Sequence, residues 1–361
     1  MKSLMRNLAI GLASLIVATV GMPQVNAADT DFAIWNSNWA PGPWGPDDKA
    51  GSVNEVNPEV IKRALATVKK FKHTTLGKPY AHDVAFFGPR MFSLVIPGTP
   101  TGGPFGKNNL VYHDEFVTTE IGQVSTQFDG PGHIGVRTVP GDPTSDVHYN
   151  GVKRVDAYQR GAGGRVIGLG PLGVEHVGEI GFICRGVLID AAGLKGMDML
   201  PVPTTSDSPG VVTKADIQAA LERQGTAPIE KGDCVFLYTG WGNLWGVGES
   251  WANASAEKRA ERVAKFVSGE PGYGPDACEW FGEIGIMMTG GDTSANDAQP
   301  NDHGLAVPCH TGLQVRLGIW NLENLDFSKL LEDKVYEFAF VWAPLKIVGA
   351  TGSPGNPIAI Y

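Results

Sequence analysis

The sequence predicts an α/β fold, and three observations indicate that class. Short apolar runs with the length of buried strands alternate with segments of helical periodicity. The 48 glycines and 25 prolines imply many tight turns, which suit an α/β enzyme better than a helical bundle. No internal repeat, low-complexity tract or linker divides the chain, so we expect one folded domain.

The first 27 residues have the pattern of a secretory signal peptide. Lys2 and Arg6 precede an apolar run at residues 8–22. The run is followed by a segment that ends in a small residue, Ala27, as signal peptidase requires. We expect cleavage after Ala27, a mature domain at residues 28–361, and a periplasmic or secreted protein. A membrane anchor is the alternative, but the run is short for a span of about 20 residues.

The net charge and the apolar segments of the chain indicate which classes of partner the protein does not bind. The net charge is −9, and a negative surface repels phosphate backbones, so we expect no nucleic-acid partner. No segment after the signal peptide is long and apolar enough to cross a bilayer. We therefore expect no membrane partner after cleavage.

An aromatic arm and four helices are predicted from local patterns. Residues 28–50 contain Trp35, Trp39 and Trp44, which we expect to pack on the body or on a partner subunit. The predicted helices run from Asn57 as N-cap to about Lys70, from Thr213 with Ile217, Ala220 and Leu221 inside, and over residues 256–266 and 310–317.

The predicted strands are short and mostly apolar. They lie at residues 84–87, 91–96, 109–118, 165–169, 186–190, 234–238, 284–288, 319–324, 336–343 and 347–350. Cys184 and Cys234 fall in or beside such runs, where a buried free thiol is the commoner outcome, although export would permit disulfides. No cysteine pair has the spacing of a zinc or redox motif.

One short segment concentrates groups that bind metals. Asp129 and His133 are four residues apart across a Gly-Pro-Gly turn, and the amides of Gln123 and Gln127 lie just upstream. Oxygen and nitrogen donors of this kind suit a divalent cation, which can make a water molecule nucleophilic at neutral pH. The segment therefore predicts a metal-dependent hydrolase. No Gly-x-Ser-x-Gly elbow, P-loop or dinucleotide fingerprint offers another chemistry.

The spacing of this segment resembles that of the cyclase family of metal-dependent hydrolases, which includes bacterial kynurenine formamidase and isatin hydrolase. The family pattern is H-x-x-x-H-x-D-x-x-x-H, and here its first two histidines are Gln123 and Gln127. The resulting Q-x-x-x-Q-x-D-x-x-x-H variant is similar to the trans-dienelactone hydrolase branch. Further collinear matches lie at residues 44–54, 185–190, 231–241, 291–294 and 322–325, and at His310.

The resemblance implies a single-domain cyclase-type fold with a barrel-like mixed β-sheet, surrounding helices and a homo-oligomeric assembly, as a dimer or tetramer. It also implies that Asp129, His133, His310 and Glu323 hold a metal, and that His310 or Glu323 accepts a proton. Because two imidazoles are replaced by weaker amide donors, we expect one divalent ion, manganese or zinc.

The remaining candidate residues have alternatives that the sequence leaves open. Gln127 ligates weakly, orients a water or binds the substrate carbonyl, and Gln123 has a substrate-binding or structural role. Phe128 and Trp241 are candidate pocket walls, although core packing suits each taken alone. His303 is a candidate acid or base in a turn where a surface histidine is the default.

The predicted reaction is the hydrolysis of a small-molecule substrate. The two glutamines favour a lactone, as in the dienelactone branch. A cyclic amide or an aryl formamide is the alternative bond. From another class, an exported binding protein that has kept the fold and lost catalysis would also account for the two substitutions.

Overall fold

A nine-stranded mixed sheet forms the centre of the molecule, in a computed structural model that describes residues 33–36, 40–301 and 303–361. Its strands are β1 (His73–Thr75), β2 (Gln127–Asp129), β3 (Phe182–Asp190), β4 (Cys234–Tyr238), β5 (Met288–Gly291), β6 (Trp320–Glu323), β7 (Glu337–Trp342), β8 (Gly352–Pro354) and β9 (Ile358–Ile360). Their spatial order is β1-β9-β7-β3-β4-β5-β6-β2-β8. This curled sheet with surrounding helices confirms the predicted α/β class and barrel-like sheet.

The register of the sheet positions the motif segment. Strands β3, β4, β5 and β6 are parallel, so their carboxyl ends lie along one edge. Strand β2 pairs antiparallel with β6, which sets Gln127 opposite Glu323 and Asp129 opposite Asn321. The predicted ligands from the motif and from the late part of the chain are therefore brought to neighbouring strands.

Four longer α-helices pack around the sheet: α1 (Pro58–Leu65), α2 (Lys214–Gln224), α3 (Ala256–Phe266) and α4 (Pro275–Ile284). The side chain of Asn57 caps α1, and Thr213 forms a capping box with Asp216 at the start of α2. Shorter α-helices are Ala33–Asn36, Arg154–Ala157, Glu175–Gly178, Ala191–Leu194, Gly248–Ala252 and Ser328–Glu332, and a π-helix spans His310–Arg316.

The alternation of side chains along the strands divides the core into two layers. Leu188 and Phe236 belong to one apolar cluster, while Ile189 and Leu237, each one residue further along, belong to the other. Both faces of β3 and β4 are thus buried, as expected for parallel strands covered on two sides.

Five two-stranded sheets lie outside the central sheet. They pair Phe92–Val95 with Phe116–Thr119, Gly102–Phe105 with Leu110–Tyr112, Val136–Arg137 with Asp146–Val147, Gln159–Arg160 with Val166–Gly168, and Val211–Val212 with Gly272–Tyr273. The first two pairs form an extension at residues 91–121, on which many large apolar side chains are exposed.

The cysteines form two disulfides, Cys184–Cys234 and Cys278–Cys309. The expectation that Cys184 and Cys234 are free buried thiols is wrong, because the two residues lie on the same face of neighbouring strands with their Cα atoms 6.2 Å apart. Sequence spacing alone does not give this pairing, since it depends on the register of β3 and β4.

Several predicted elements differ from the structure. Helix α1 ends at Leu65 rather than near Lys70, and residues 84–87 form a bend and irregular chain. The strand Val166–Gly168 is largely exposed instead of buried. The strand predicted at residues 284–288 begins only at Met288, because α4 occupies the chain up to Ile284. Residues 347–350 form a turn, and the closing strands are β8 and β9.

The aromatic arm lies on its own chain where it is described. Trp35 packs in an apolar cluster and its indole donates a hydrogen bond to the Thr311 hydroxyl at 3.0 Å, while Trp44 packs against the other core layer. Trp39 and the predicted signal peptide lie outside the described residues. Within the described part of the chain, every helix is too short or too polar to cross a bilayer.

Candidate metal centre

Three buried side chains converge beside the end of β6. The Nε2 atom of His310 lies 3.2 Å from Asp129 Oδ2 and 3.1 Å from Glu323 Oε1. Each of the three residues offers one ligand atom, and these three atoms all lie within 4.8 Å of one another. Two carboxylates and an imidazole in this arrangement form a candidate site for a divalent ion.

Local structure explains why these side chains point to one place. Gln127 and Asp129 alternate with Phe128 along β2, so the two polar side chains share one face of the sheet and Phe128 occupies the other. Glu323 ends β6 and His310 starts the π-helix. A π-helical turn widens the backbone and is frequent at functional sites.

Asp297 fixes the orientation of His310. Its Oδ2 atom lies 2.6 Å from His310 Nδ1, and its Oδ1 atom accepts a hydrogen bond from the Cys309 backbone N–H at 2.6 Å. With Nδ1 held by a carboxylate, Nε2 is directed at Asp129 and Glu323. A carboxylate behind a histidine ligand is a usual arrangement in metal sites.

Amide side chains surround the two carboxylates. Gln123 donates to Asp129 Oδ1 at 2.8 Å, Gln127 donates to Glu323 Oε2 at 2.5 Å, and Asn321 donates to Glu323 Oε1 at 2.8 Å. The two glutamines of the variant motif thus contact the candidate ligands directly. Rotation of either amide by half a turn would present its carbonyl oxygen at the same place.

The charges of the cluster fit a bound cation. Burial, followed by the charge of Asp129, raises the pKa of Glu323 to about 8. Burial alone would raise the pKa of Asp129, but the charge of His133 and the hydrogen bond from His310 lower it below its ordinary value. Although burial lowers it, hydrogen bonds to Asp129, Asp297 and Glu323 hold the pKa of His310 well above its ordinary value. The acids of the cluster therefore favour positive charge at this place. A divalent cation supplies that charge, so the donor set and the electrostatics agree.

His133 lies beside the cluster rather than within it. Its Nε2 atom is 3.6 Å from Asp129 Oδ1, and its side chain is about one-fifth exposed. Burial lowers the pKa of His133 below its ordinary value, against the opposing effect of Asp129. A neutral imidazole at this position can bind a metal or accept a proton.

A cavity of about 590 Å³ opens onto the cluster. Its polar wall includes the six motif and late-chain side chains discussed above: Gln123, Gln127, Asp129, His133, His310 and Glu323. Its apolar wall includes Phe87, Ile134, Val267, Pro300 and Val307. The volume and mixed lining suit a small organic molecule.

Three candidate residues lie away from this cavity. Phe128 is fully buried against Phe182 and Trp342 on the opposite face of β2, and Trp241 is buried with its indole donating to the Phe266 carbonyl. His303 is exposed in a bend before the π-helix. None of the three lines the cavity, so the structure gives no support for a role of Phe128 or Trp241 as pocket walls.

Sequence reasoning missed Glu270 and Asp297. Glu270 is buried in the cavity wall, where it accepts hydrogen bonds from the backbone N–H groups of Ser294 and Ala295 at 2.8 and 2.7 Å. Both acids lie outside the recognisable motif segments, in polar and glycine-containing stretches where no local pattern marks them. Cys278 and Cys309 also lie near Asp297, but their disulfide excludes thiolate ligation there.

Glu270 is expected to make stability fall as the pH rises. Burial raises the pKa of Glu270 from 4.5 to about 7, so between these values the folded state holds a proton that the unfolded state has released. The free energy of unfolding should therefore decrease between pH 5 and pH 7, by up to about 3 kcal/mol in total, and this contribution should be lost completely above pH 7. The stability difference between wild type and Glu270→Gln, measured by urea unfolding at pH 5 to 8 without metal, should fall by that amount. A difference that is constant with pH would contradict this expectation.

Asp297→Asn is expected to weaken metal binding. The amide cannot supply the negative charge behind His310, so Nε2 becomes a poorer and less well oriented donor, and affinity should fall about 10- to 100-fold. Calorimetric titration with manganese and zinc measures the change. Asp276→Asn is the matched control, because Asp276 accepts a hydrogen bond from the Lys214 N–H outside the cavity. Equal affinities for both variants and wild type would contradict the role of Asp297.

Comparisons with known proteins identify the family. The Cyclase family model matches residues 56–298, and a solved structure described as a novel cyclase has a TM-score of 0.70 and 30% identity, covering 90% of this chain and 99% of that one. Isatin hydrolase A from Labrenzia aggregata gives a TM-score of 0.51 at 19% identity, covering 82% of this chain and 94% of that one. Isatin hydrolase A from Ralstonia solanacearum gives 0.50 at 20% identity, covering 80% and 91%.

These results define the class of the protein. The chain belongs to the Cyclase family, as the motif spacing predicted. The likeness to the two isatin hydrolases is a likeness of fold. A comparison with curated proteins gives no match.

Proposed function

We propose that the protein is a metal-dependent hydrolase that opens a small lactone. The observation that carries the proposal is the convergence of Asp129, His310 and Glu323 in the wall of a cavity sized for a small molecule. These three residues would hold one divalent ion, manganese or zinc, with His133 and the two motif glutamines beside it. Such an ion supplies Lewis acidity to a carbonyl group and lowers the pKa of a water molecule.

The chain's own residues divide the remaining work. Asp297 keeps His310 oriented. We assign His310 to the metal, because its Nε2 faces both candidate ligand carboxylates, rather than to the proton transfer that the sequence offers as an alternative. His133 is placed to accept a proton at Nε2 from the attacking water and to return it to the leaving oxygen. The water oxygen bonds to the acyl carbon, the ring C–O bond breaks, and the product is a hydroxy acid.

The two glutamines support a lactone as substrate. Gln123 and Gln127 are neutral, and each contacts a ligand carboxylate, so a carbonyl oxygen entering the site meets amide donors. Esters need less assistance to the leaving group than amides do, which suits a site with fewer imidazoles. The alternative bond is a cyclic amide or an aryl formamide. An inactive binding protein is a further alternative, and it is suggested by the same replacement of two motif histidines by glutamine.

A metal analysis paired with a substrate panel tests the proposal. The purified protein is expected to contain about one manganese or zinc ion per chain, to lose activity after exhaustive chelation, and to recover it when either ion is added back. Lactones should be hydrolysed faster than cyclic imides and aryl formamides of similar size. Activity that survives chelation would refute metal dependence, and a metal-free protein that turns over no panel member would favour the binding protein.

We also propose that the protein forms a homo-oligomer, a dimer or tetramer. The exposed apolar side chains of residues 91–121, among them Val95, Phe105, Leu110 and Phe116, support a contact between copies. Light scattering at several protein concentrations tests this, and a monomer at every concentration would refute it.

A further inference from the structure

Arg90 is a cationic side chain on the wall of the cavity. Among the described residues that line the cavity, it is the one lysine or arginine. The other charged residues of the wall are the acids Asp129, Glu270 and Glu323, with the two histidines beside them. A guanidinium at this position is a distinct feature of the cavity, since the metal cluster does not need it.

Two carboxylates near Arg90, one seven residues before it and one in contact with the next residue, have other partners. Asp83 forms an ion pair with Arg259 at 2.9 Å, and Glu120 accepts a hydrogen bond from the Met91 backbone N–H at 2.8 Å. Within the described part of the chain, the guanidinium of Arg90 has no hydrogen bond or ion pair. A partly buried arginine without a partner keeps its five N–H donors for a ligand.

Arg90 shares its cavity with the metal cluster. The same cavity of about 590 Å³ is lined by Arg90, by His133 and by the three candidate ligands. A molecule that reaches Arg90 with one end can therefore approach the cluster of Asp129, His310 and Glu323 with the other. The acids of the cluster repel an anion unless a cation opposes them, and Arg90 provides such a cation at the wall.

We propose that Arg90 binds a carboxylate of the substrate, so that the substrate class is a small lactone or related acyl compound with a second, anionic group. The planar guanidinium matches a carboxylate with two parallel hydrogen bonds, which orient the molecule as well as bind it. The anionic end rests on Arg90 and the acyl group faces the cluster. This inference rests on the proposed function, because it assigns the far end of the same substrate.

The test compares an anionic and a neutral substrate of the same shape. An unsaturated lactone with a free carboxylate and its carboxamide are assayed with wild type, Arg90→Gln and Arg90→Lys, and with Arg160→Gln as a control for the loss of a surface charge. Wild type should prefer the carboxylate in kcat/KM by about 10- to 100-fold, mainly through KM. Arg90→Gln should lower kcat/KM for the carboxylate far more than for the carboxamide, so that the preference is lost. Arg90→Lys should keep part of the preference, and Arg160→Gln should behave as wild type.

Each result has a defined meaning. A preference that survives in Arg90→Gln, or an equal loss for both substrates, would overturn the assignment of Arg90 and leave the hydrolase proposal intact. If neither of these substrates nor any member of the lactone, imide and formamide panel turns over, the hydrolase proposal fails, and binding decides the role of Arg90 separately. The metal-loaded protein is then titrated calorimetrically with benzoate and with its neutral isostere benzamide. Wild type should bind benzoate more tightly than benzamide, and Arg90→Gln should bind benzoate about 10-fold more weakly than wild type does. Equal benzoate affinities for wild type and Arg90→Gln would overturn the inference.

Discussion

Asp129→Asn is expected to lose the bound metal and with it nearly all activity. The substitution keeps the shape of the side chain but removes one of the two negative charges that face His310 Nε2. Loss of a residue that supports a ligand from behind lowers metal affinity or activity about 10- to 100-fold. Loss of a charged ligand itself should therefore lower kcat/KM on the order of 1,000-fold. Metal content by elemental analysis and kcat/KM on the best lactone measure the two effects together.

A matched control separates ligand loss from damage to the fold. Asp190→Asn also changes a buried aspartate, which accepts a hydrogen bond from the Gly193 N–H at 2.8 Å and pairs with Arg223, outside the cavity. It should lose less than about 1 kcal/mol of stability, from the partly exposed ion pair with Arg223, because asparagine caps a helix as well as aspartate does, and it should keep its metal. Full metal occupancy in Asp129→Asn would remove Asp129 from the ligand set, and a metal-free Asp190→Asn would show that the assay reports instability.

Local signals explain the elements that were predicted correctly. The capping box at Thr213 and the serine cap at Ser255 set the starts of α2 and α3, and the apolar run of β4 is bounded by polar or turn residues. Each of these signals lies within a few residues of the element that it defines. The motif at Asp129 was found for the same reason, since its spacing is contained in one segment.

Long-range contacts explain the elements that were missed. Strand β5 begins at Met288 because it pairs with β4 and β6, and Val166 is exposed because it pairs only with a small outer strand. Glu270 reaches the cavity through a backbone bridge to Gln299, on a part of the chain without a motif. Such contacts join residues that are distant in sequence, so periodicity and spacing do not reveal them.

The two disulfides should each contribute several kcal/mol to stability. Cys184–Cys234 closes a separation of 50 residues and Cys278–Cys309 one of 31, so the loss of loop entropy in the unfolded chain predicts about 4 kcal/mol for each bond. The double variants Cys184→Ala/Cys234→Ala and Cys278→Ala/Cys309→Ala should lower the free energy of unfolding by roughly that amount. Urea unfolding of the oxidised protein, with each double variant beside it, measures both losses.

The two bonds should differ in their effect on the metal centre. Cys309 directly precedes His310 and is tied by its disulfide to α4, whereas Cys184 and Cys234 lie in strands outside the cavity. Loss of Cys278–Cys309 should therefore also weaken metal affinity, while loss of Cys184–Cys234 should change stability alone, which makes the sheet pair the control. Disulfides persist in oxidising compartments, which supports the periplasmic or secreted location that we propose for the mature chain. Equal stability of the wild type with and without a thiol reductant would contradict both the stabilising role and this support for export.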